Sequence, residues 1–238
     1  MMQFRQLHSG SEGNLYEIIA ANGKRLLIDP GVTWAKVLKA LNYDLSGIVG
    51  CLASHVHADH CKSIRDVMTF GINVYASKKT FASQNLLQHR KTRVVADKTL
   101  IRMEEFQVLC FATNHDCEGS LGFVVRESAT NEYLLFATDT SHITQRFPFK
   151  FSIVAVECSY DEVWLRDKVA AGEIDERLAE RLLTSHMSKA NCMAYLNDYV
   201  DRSKLRELHL IHMSGTNIDR QRTAAEFKNE FFVEVKTI

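Results

Sequence analysis

Ser54-His55-Val56-His57-Ala58-Asp59-His60 decides how this chain is read. Three imidazoles and a carboxylate fall within positions 55–60, directly after the apolar run Gly47-Ile48-Val49-Gly50-Cys51-Leu52-Ala53. That run predicts a buried strand over 47–53, rich in small and branched side chains. Side chains alternate along extended backbone, so His55 and His57 are expected to point the same way as the strand ends. Asp59 and His60 fall in the turn or first helical residues before Lys62-Ser63-Ile64-Arg65-Asp66-Val67. Such a segment can supply nitrogen and oxygen donors to two cations, and neutral imidazole with carboxylate suits zinc, iron or manganese. The plain rival is a polar loop whose histidines satisfy local backbone. Against it, no structural motive groups three of the chain's ten histidines here.

Composition sets the frame. The 238 residues, 46% hydrophobic and 24% charged, are those of an ordinary globular protein able to bury a substantial core. Lys plus Arg and Asp plus Glu are each 29, so no global basic field draws the chain toward nucleic acid, although a local patch is compatible with it. The cysteines at 51, 61, 110, 117, 158 and 192 form no C-x-x-C pair and read as free buried thiols in a reducing compartment. No charged-then-apolar leader and no long apolar run is present, so a cytoplasmic protein with no membrane partner is expected.

With two prolines and no Pro-rich, Ser-rich or repetitive stretch, a single domain over 1–238 is expected. Strands are predicted at 3–7, 15–19, 25–29, 47–53, 72–76, 107–112, 120–126, 133–137, 152–157 and 207–211, with a last one within 231–236. Helices are predicted at 33–41, 60–69, 78–89, 161–169, 173–184, 189–200 and 219–230. Strands interspersed with helices suggest sheets covered by helices.

A site for two cations needs more donors than one segment holds. Three other strands end in candidates: 107–112 runs into Thr113-Asn114-His115-Asp116, 133–137 into Thr138-Asp139-Thr140, and 208–211 into His212-Met213-Ser214. Loops after buried strands are where active-site residues gather. Singly, a histidine there is a packing residue and an Asp a cap or turn former. In company with 55–60 they read as further ligands.

The set H-x-H-x-D-H, a later His, an Asp and a final His resembles the metallo-β-lactamase fold family over most of the chain. Leu27-Ile28-Asp29-Pro30-Gly31 resembles the family's first strand-end Asp. Within the superfamily the chain is most similar to YycJ-type exonucleases, with PhnP-type phosphodiesterases as neighbours. The residues carrying that likeness are Ser9-Gly10-Ser11-Glu12-Gly13-Asn14, His115-Asp116 leading into Gly122-Phe123, Glu157-Cys158-Ser159-Tyr160-Asp161, Ser185-His186-Met187-Ser188-Lys189-Ala190-Asn191 and Ile211-His212-Met213-Ser214. Two departures stand out. Ser159-Tyr160 replaces the Asn-His pair of those relatives, and Ser185 precedes His186 where they usually carry Gly.

The resemblance implies an α/β fold, the four-layer αββα sandwich of two mixed β-sheets flanked by helices. It also implies two divalent ions, zinc or manganese with iron a further candidate. One would be held by His55, His57 and His115, the other by Asp59, His60 and His212, with Asp139 bridging. Ions roughly 3.5–4 Å apart can share a water, lower its pKa to about 7 and stabilise both oxygens of a phosphoryl displacement. Asp59 would orient that hydroxide. His186 would stabilise a phosphate or protonate the leaving oxygen; its rival role is as a ligand in place of His212, which is preferred because it directly ends an apolar strand. Asp29 is expected to organise backbone near the metals. His142 reads as a surface residue or one supporting the ligands, His8 as lining or structural, and His89 and His209 as ordinary. Cys61 is expected to pack. Lys78-Lys79, His89-Arg90-Lys91 and Arg93 would track phosphates on a nuclease, or form a solvated face. The expected activity is metal-dependent phosphodiester hydrolysis, as an exonuclease on DNA; thioester or lactone hydrolysis on the same site is the alternative.

Overall fold

Each strand of the first sheet is explained by where its apolar side chains go. The computed structural model describes residues 1–10 and 12–238; Ser11, within the 9–14 segment, lies outside the described residues. The chain divides into two compact units, the first Met1–Ala112 with Cys117–Glu132, the second Thr113–Asp116 with Tyr133–Ile238. Their strands belong to two mixed sheets flanked by helices.

In the first unit, β1 (Gln3–His8), β2 (Leu15–Ile19) and β3 (Arg25–Ile28) pair antiparallel, and β3, β4 (Ile48–Leu52), β5 (Val74–Ala76) and β6 (Thr92–Val94) continue in parallel. Parallel neighbours require crossovers. These are α1 (Trp34–Ala40), the pair α2 (Ala58–Cys61) and α3 (Ile64–Thr69), and α4 (Lys78–Ser83). Val37, Ile64, Val67, Met68 and Phe81 of these helices pack on Leu15, Leu27, Cys51, Ala53, Val74 and Ala76. The alternate residues Tyr16, Ile18, Leu26, Ile28 and Leu52 are buried as well. Burial on both faces is why these strands read as continuous apolar runs rather than alternating ones. The same unit holds the antiparallel meander β7 (Leu100–Met103), β8 (Phe106–Ala112) and β9 (Leu121–Glu127).

The second unit pairs β10 (Tyr133–Ala137), β11 (Ile153–Glu157), β12 (Glu207–Ile211) and β13 (Glu234–Lys236) in parallel. Three helices, α5 (Glu162–Ala170), α6 (Glu176–Ser185) and α7 (Lys189–Tyr199), join β11 to β12, and α8 (Arg220–Phe231) joins β12 to β13. Each is started by a side chain that accepts first-turn N–H groups: Asp161, Asp175, Ser188 and Asp219. Tyr160, Leu165 and Ala179 form a small cluster where α5 and α6 meet, so Tyr160, one of the two departures, is a packing residue.

Three expectations about elements are corrected. The helix predicted over 60–69 is two short ones, because Ser63 leaves the helical path: its N–H donates to Pro30 O at 2.9 Å and its hydroxyl to Val32 O at 2.6 Å. The helix predicted over 78–89 stops at Ser83, where the chain turns through Asn85 at φ 54°. Strands β6 and β7 were not predicted; they are three and four residues long, too short for a period to register. No described helix is long and apolar enough to cross a membrane.

Candidate metal centre

Open sheets present their ligand-binding loops at the carboxyl ends of parallel strands. In the first unit those ends carry Asp29 after β3 and Ser54-His55 after β4. Asp29 has φ 52°, a left-handed conformation that Asp tolerates better than most residues. Its buried carboxylate accepts from Ser54 N at 2.7 Å, from Ser54 Oγ at 2.8 Å and from His60 Nδ1 at 2.8 Å. One side chain therefore fixes both ends of the H-x-H-x-D-H segment, as expected of an organiser near metals.

The imidazoles crowd together around it. His55 Nε2 lies 3.1 Å from His57 Nδ1, and the His55 and His60 ring centroids are 4.2 Å apart. Two bonds of about 2.1 Å to one ion subtend roughly this donor separation. Asp59 Oδ2 lies 3.4 Å from His60 Nε2. Asn14 supports the segment from the other side. Its N–H donates to Asp59 O at 2.8 Å, and its side-chain amide nitrogen lies 3.0 Å from His60 Nε2. Gly31 lets this happen: a Cβ there would sit 1.6 Å from Asp59 O and 2.6 Å from His60 N.

In the second unit the donors also follow strand ends. Asp139, after β10, has φ 47°, and His212, after β12, has φ 52°. The 113–116 loop is stapled to the loop after β10: Asn114 N–H donates to Thr140 Oγ1 at 3.0 Å, and Ser141 N–H donates to Asn114 O at 2.9 Å. His115 Nδ1 donates to the carbonyl of Ser185 at 3.0 Å, and its Nε2 lies 4.0 Å from Asp139 Oδ2. Because the partner is a carbonyl, Ser185 does here what Gly would do. His212 Nδ1 is 3.0 Å from Asp139 Oδ1 and 3.1 Å from Glu157 Oε1. His186 Nδ1 is 2.7 Å from Glu157 Oε1 and 3.7 Å from Asp139 Oδ1.

Glu157 is fully buried at the end of β11, and Thr140 N–H (2.8 Å) and Met187 N–H (3.3 Å) donate to its Oε2. Burial alone would raise its carboxyl pKa, but the charge and hydrogen bond of His186, with that of His212, bring it below the ordinary range. The same contact acts on His186 in reverse. Burial works to lower its pKa, and the Glu157 carboxylate, with Asp139, raises it above the usual imidazole value.

The donor set fits divalent ions. Within the first unit, ligating atoms of His55, His57 and Cys117 lie within 4.8 Å of one another, as do those of Asp59 and His60. Within the second, those of Asp139, Glu157, His186 and His212 do so. His60 and His115 each give the other ring N–H to an oxygen, the arrangement that orients imidazoles on metals.

The remaining expectations sort plainly. His142 is exposed, its Nδ1 3.0 Å from Ser141 Oγ and 3.1 Å from Asn114 Nδ2. His209 is buried on β12 against Glu207, and His89 is in a turn. Cys61 is buried in the helical core, its thiol pushed up to about 11, chiefly by burial. The cysteines are free, but Cys117 is half-buried rather than buried, a correction to the reading of all six as interior thiols. Sequence reasoning missed the parts played by Gly31, Ser54 and Cys117; Gly31 stood in plain view in Leu27-Ile28-Asp29-Pro30-Gly31, where only the Asp was singled out.

Strand-end His and Asp donors on mixed, helix-flanked sheets define a metal-dependent hydrolase of the metallo-β-lactamase fold. Residues 24–213 match the family model described as the β-lactamase superfamily domain, and the chain belongs to that family. Among solved structures it is similar to the metallo-β-lactamase fold protein YhfI from Bacillus subtilis, with 17% identity and a TM-score of 0.74 over all of this chain and 97% of that one. It is also similar to a diphosphatase of the PhnP family, with 15% identity and a TM-score of 0.65 over 95% and 92%. Both likenesses establish the fold. The anti-Pycsar protein Apyc1 of Paenibacillus xerothermodurans is 43% identical over 49 residues, 21% of this chain and 20% of that protein. Apyc1 of Bacillus phage 010DV004 is 39% identical over 59 residues, 25% and 23%. The matched stretches thus span less than a quarter of those proteins' own length.

Proposed function

We propose that this metallohydrolase is a phosphodiesterase, acting on DNA from a strand end. In this reading the chain works as one hydrolase domain over 1–238, and the donors of both units serve two divalent ions. His55, His57 and His115 would hold one and Asp59, His60 and His212 the other, with Asp139 available to both. Zinc or manganese, when bound there, would supply Lewis acidity and lower the pKa of a water toward neutrality. Asp59 would accept a hydrogen bond from a water there and orient it. No lipid surface takes part.

His186 carries the choice of substrate. Held on Glu157 at 2.7 Å, whose carboxylate raises its pKa above the usual imidazole value against the effect of burial, it holds a proton more readily than a free imidazole. Such a group binds a non-bridging phosphate oxygen and hands its proton to a departing alkoxide. A phosphodiester needs both services, being an anion with a poor leaving group, whereas a thioester's thiolate leaves without a proton. The exposed Lys78, Arg90 and Arg93 suit a polyanion, and the diphosphatase among the similar structures also breaks phosphorus–oxygen bonds.

The test is turnover of end-labelled DNA and bis-p-nitrophenyl phosphate by zinc- or manganese-loaded protein, beside a thioester and lactone panel. Progressive shortening of the DNA supports the reading; lactone or thioester turnover far above phosphodiester turnover defeats it. His186→Ala is expected to lose about 10²-fold or more in turnover with metal content unchanged. Loss of metal instead would make His186 a ligand.

A further inference from the structure

We propose that Cys117 is a thiolate ligand to the ion held by His55 and His57, so that this position takes a zinc-like cation in preference to manganese. The inference rests on the two-ion reading above, and its evidence lies within the first unit. The sulfur of Cys117 and the imidazole nitrogens of His55 and His57 lie within 4.8 Å of one another. His55 is buried and Cys117 half-buried, so the thiol sits where it reaches both the histidines and solvent.

The turn that carries Cys117 is held in this place at two points just after it. Leu121 N–H, at the start of β9, donates to the carbonyl of Ser54 at 3.0 Å, tying the turn to the residue before His55. Gly119, at φ 85°, is pressed against Ser77: a Cβ there would lie 2.8 Å from Ser77 Oγ. Ser120 Oγ lies 3.0 Å from the Cys117 sulfur, and its hydroxyl can donate to a thiolate. The other cysteine beside the motif, Cys61, is spent on packing, its S–H directed at Val56 O at 3.1 Å.

On binding, the Cys117 S–H bond breaks, a sulfur–metal bond forms and one proton passes to the buffer. Sulfur is the softest donor available to the ion, and thiolate favours zinc over manganese. Imidazole leans the same way less strongly, and the carboxylates of the donor set suit manganese as well.

Cobalt(II) reports both the site and the sulfur. The full-length protein loaded with cobalt is expected to show visible d–d bands from the bound ion and a near-ultraviolet sulfur-to-cobalt charge-transfer band. Cys117→Ser should lose the charge-transfer band completely and keep the d–d bands, and Cys61→Ala should keep both. A charge-transfer band that survives Cys117→Ser, or d–d bands without one in the wild type, overturns the proposal while leaving the two-ion reading intact. Absence of d–d bands in the wild type defeats that reading and this proposal with it. Should Cys117→Ser fail to fold, alkylation of the wild type decides the matter. Zinc is expected to protect Cys117 from iodoacetamide, as located by mass spectrometry, and equal labelling with and without zinc would refute ligation.

Discussion

Gly31 and Asp29 show how single residues hold the donors in place. A side chain at 31 collides with the backbone of Asp59 and His60, which has no flexible end to swing aside. Gly31→Ala is therefore expected to cost about 1–3 kcal/mol of stability through overpacking and to weaken metal binding with it. Urea unfolding and zinc titration of the variant check both; wild-type affinity would show that the motif can shift freely. Asp29→Asn keeps an acceptor for Ser54 but presents an N–H where His60 Nδ1 needs an oxygen. Metal affinity should fall by about 10–100-fold, read by competition against a chromophoric chelator. At this scale the sequence was legible where donors cluster locally. His55, His57, Asp59 and His60 announce themselves by spacing, and Asp29 by its place at a strand end. Gly31 and Cys117 did not, because what makes them matter arrives from distant parts of the chain.

Elements add a second layer of constraint, clearest at β12. Glu207 accepts from His209 Nε2 at 3.2 Å, from Lys236 Nζ of β13 at 2.9 Å, and pairs with Arg206. The His209 hydrogen bond first, and then Lys236 and Arg206 against an opposing burial effect, bring its carboxyl down to about 2 from 4.5. A folded pKa below the unfolded one means that the charged form stabilises the fold. That contribution is whole above pH 4.5 and drains away as pH falls toward 2. Glu207→Gln should be less stable than wild type near neutrality, and the gap should close across that acid window. Thermal melts from pH 7 downward measure it; a gap that stays constant would contradict the assignment. Element type was readable wherever a run was long enough to carry a period, as for β4, β8 and α8. It failed at Ser63, where side-chain bonding to Val32 breaks a helical pattern, and at β6 and β7, whose few residues leave no pattern to read.

For the whole molecule, the fold was legible because one dense motif narrows the topology, and strand-end donors elsewhere agree with it. Family membership over residues 24–213 bears this out. Substrate was less legible, since the residue proposed to choose it, His186, takes its meaning from Glu157 and not from neighbours in sequence. Ser159-Tyr160 departs from the relatives' Asn-His pair outside the proposed ligands, and Tyr160 packs with Leu165 and Ala179. The central claim of the proposed function is that donors from four separate stretches cage a pair of ions. Elemental analysis of chelator-stripped, zinc-reconstituted protein tests it most directly, run on wild type beside His57→Ala and His212→Ala. Two equivalents bound per wild-type chain, with one or fewer left in each variant at unchanged circular dichroism, is the predicted result. Full metal content in both variants, or no bound zinc in the wild type, would contradict it.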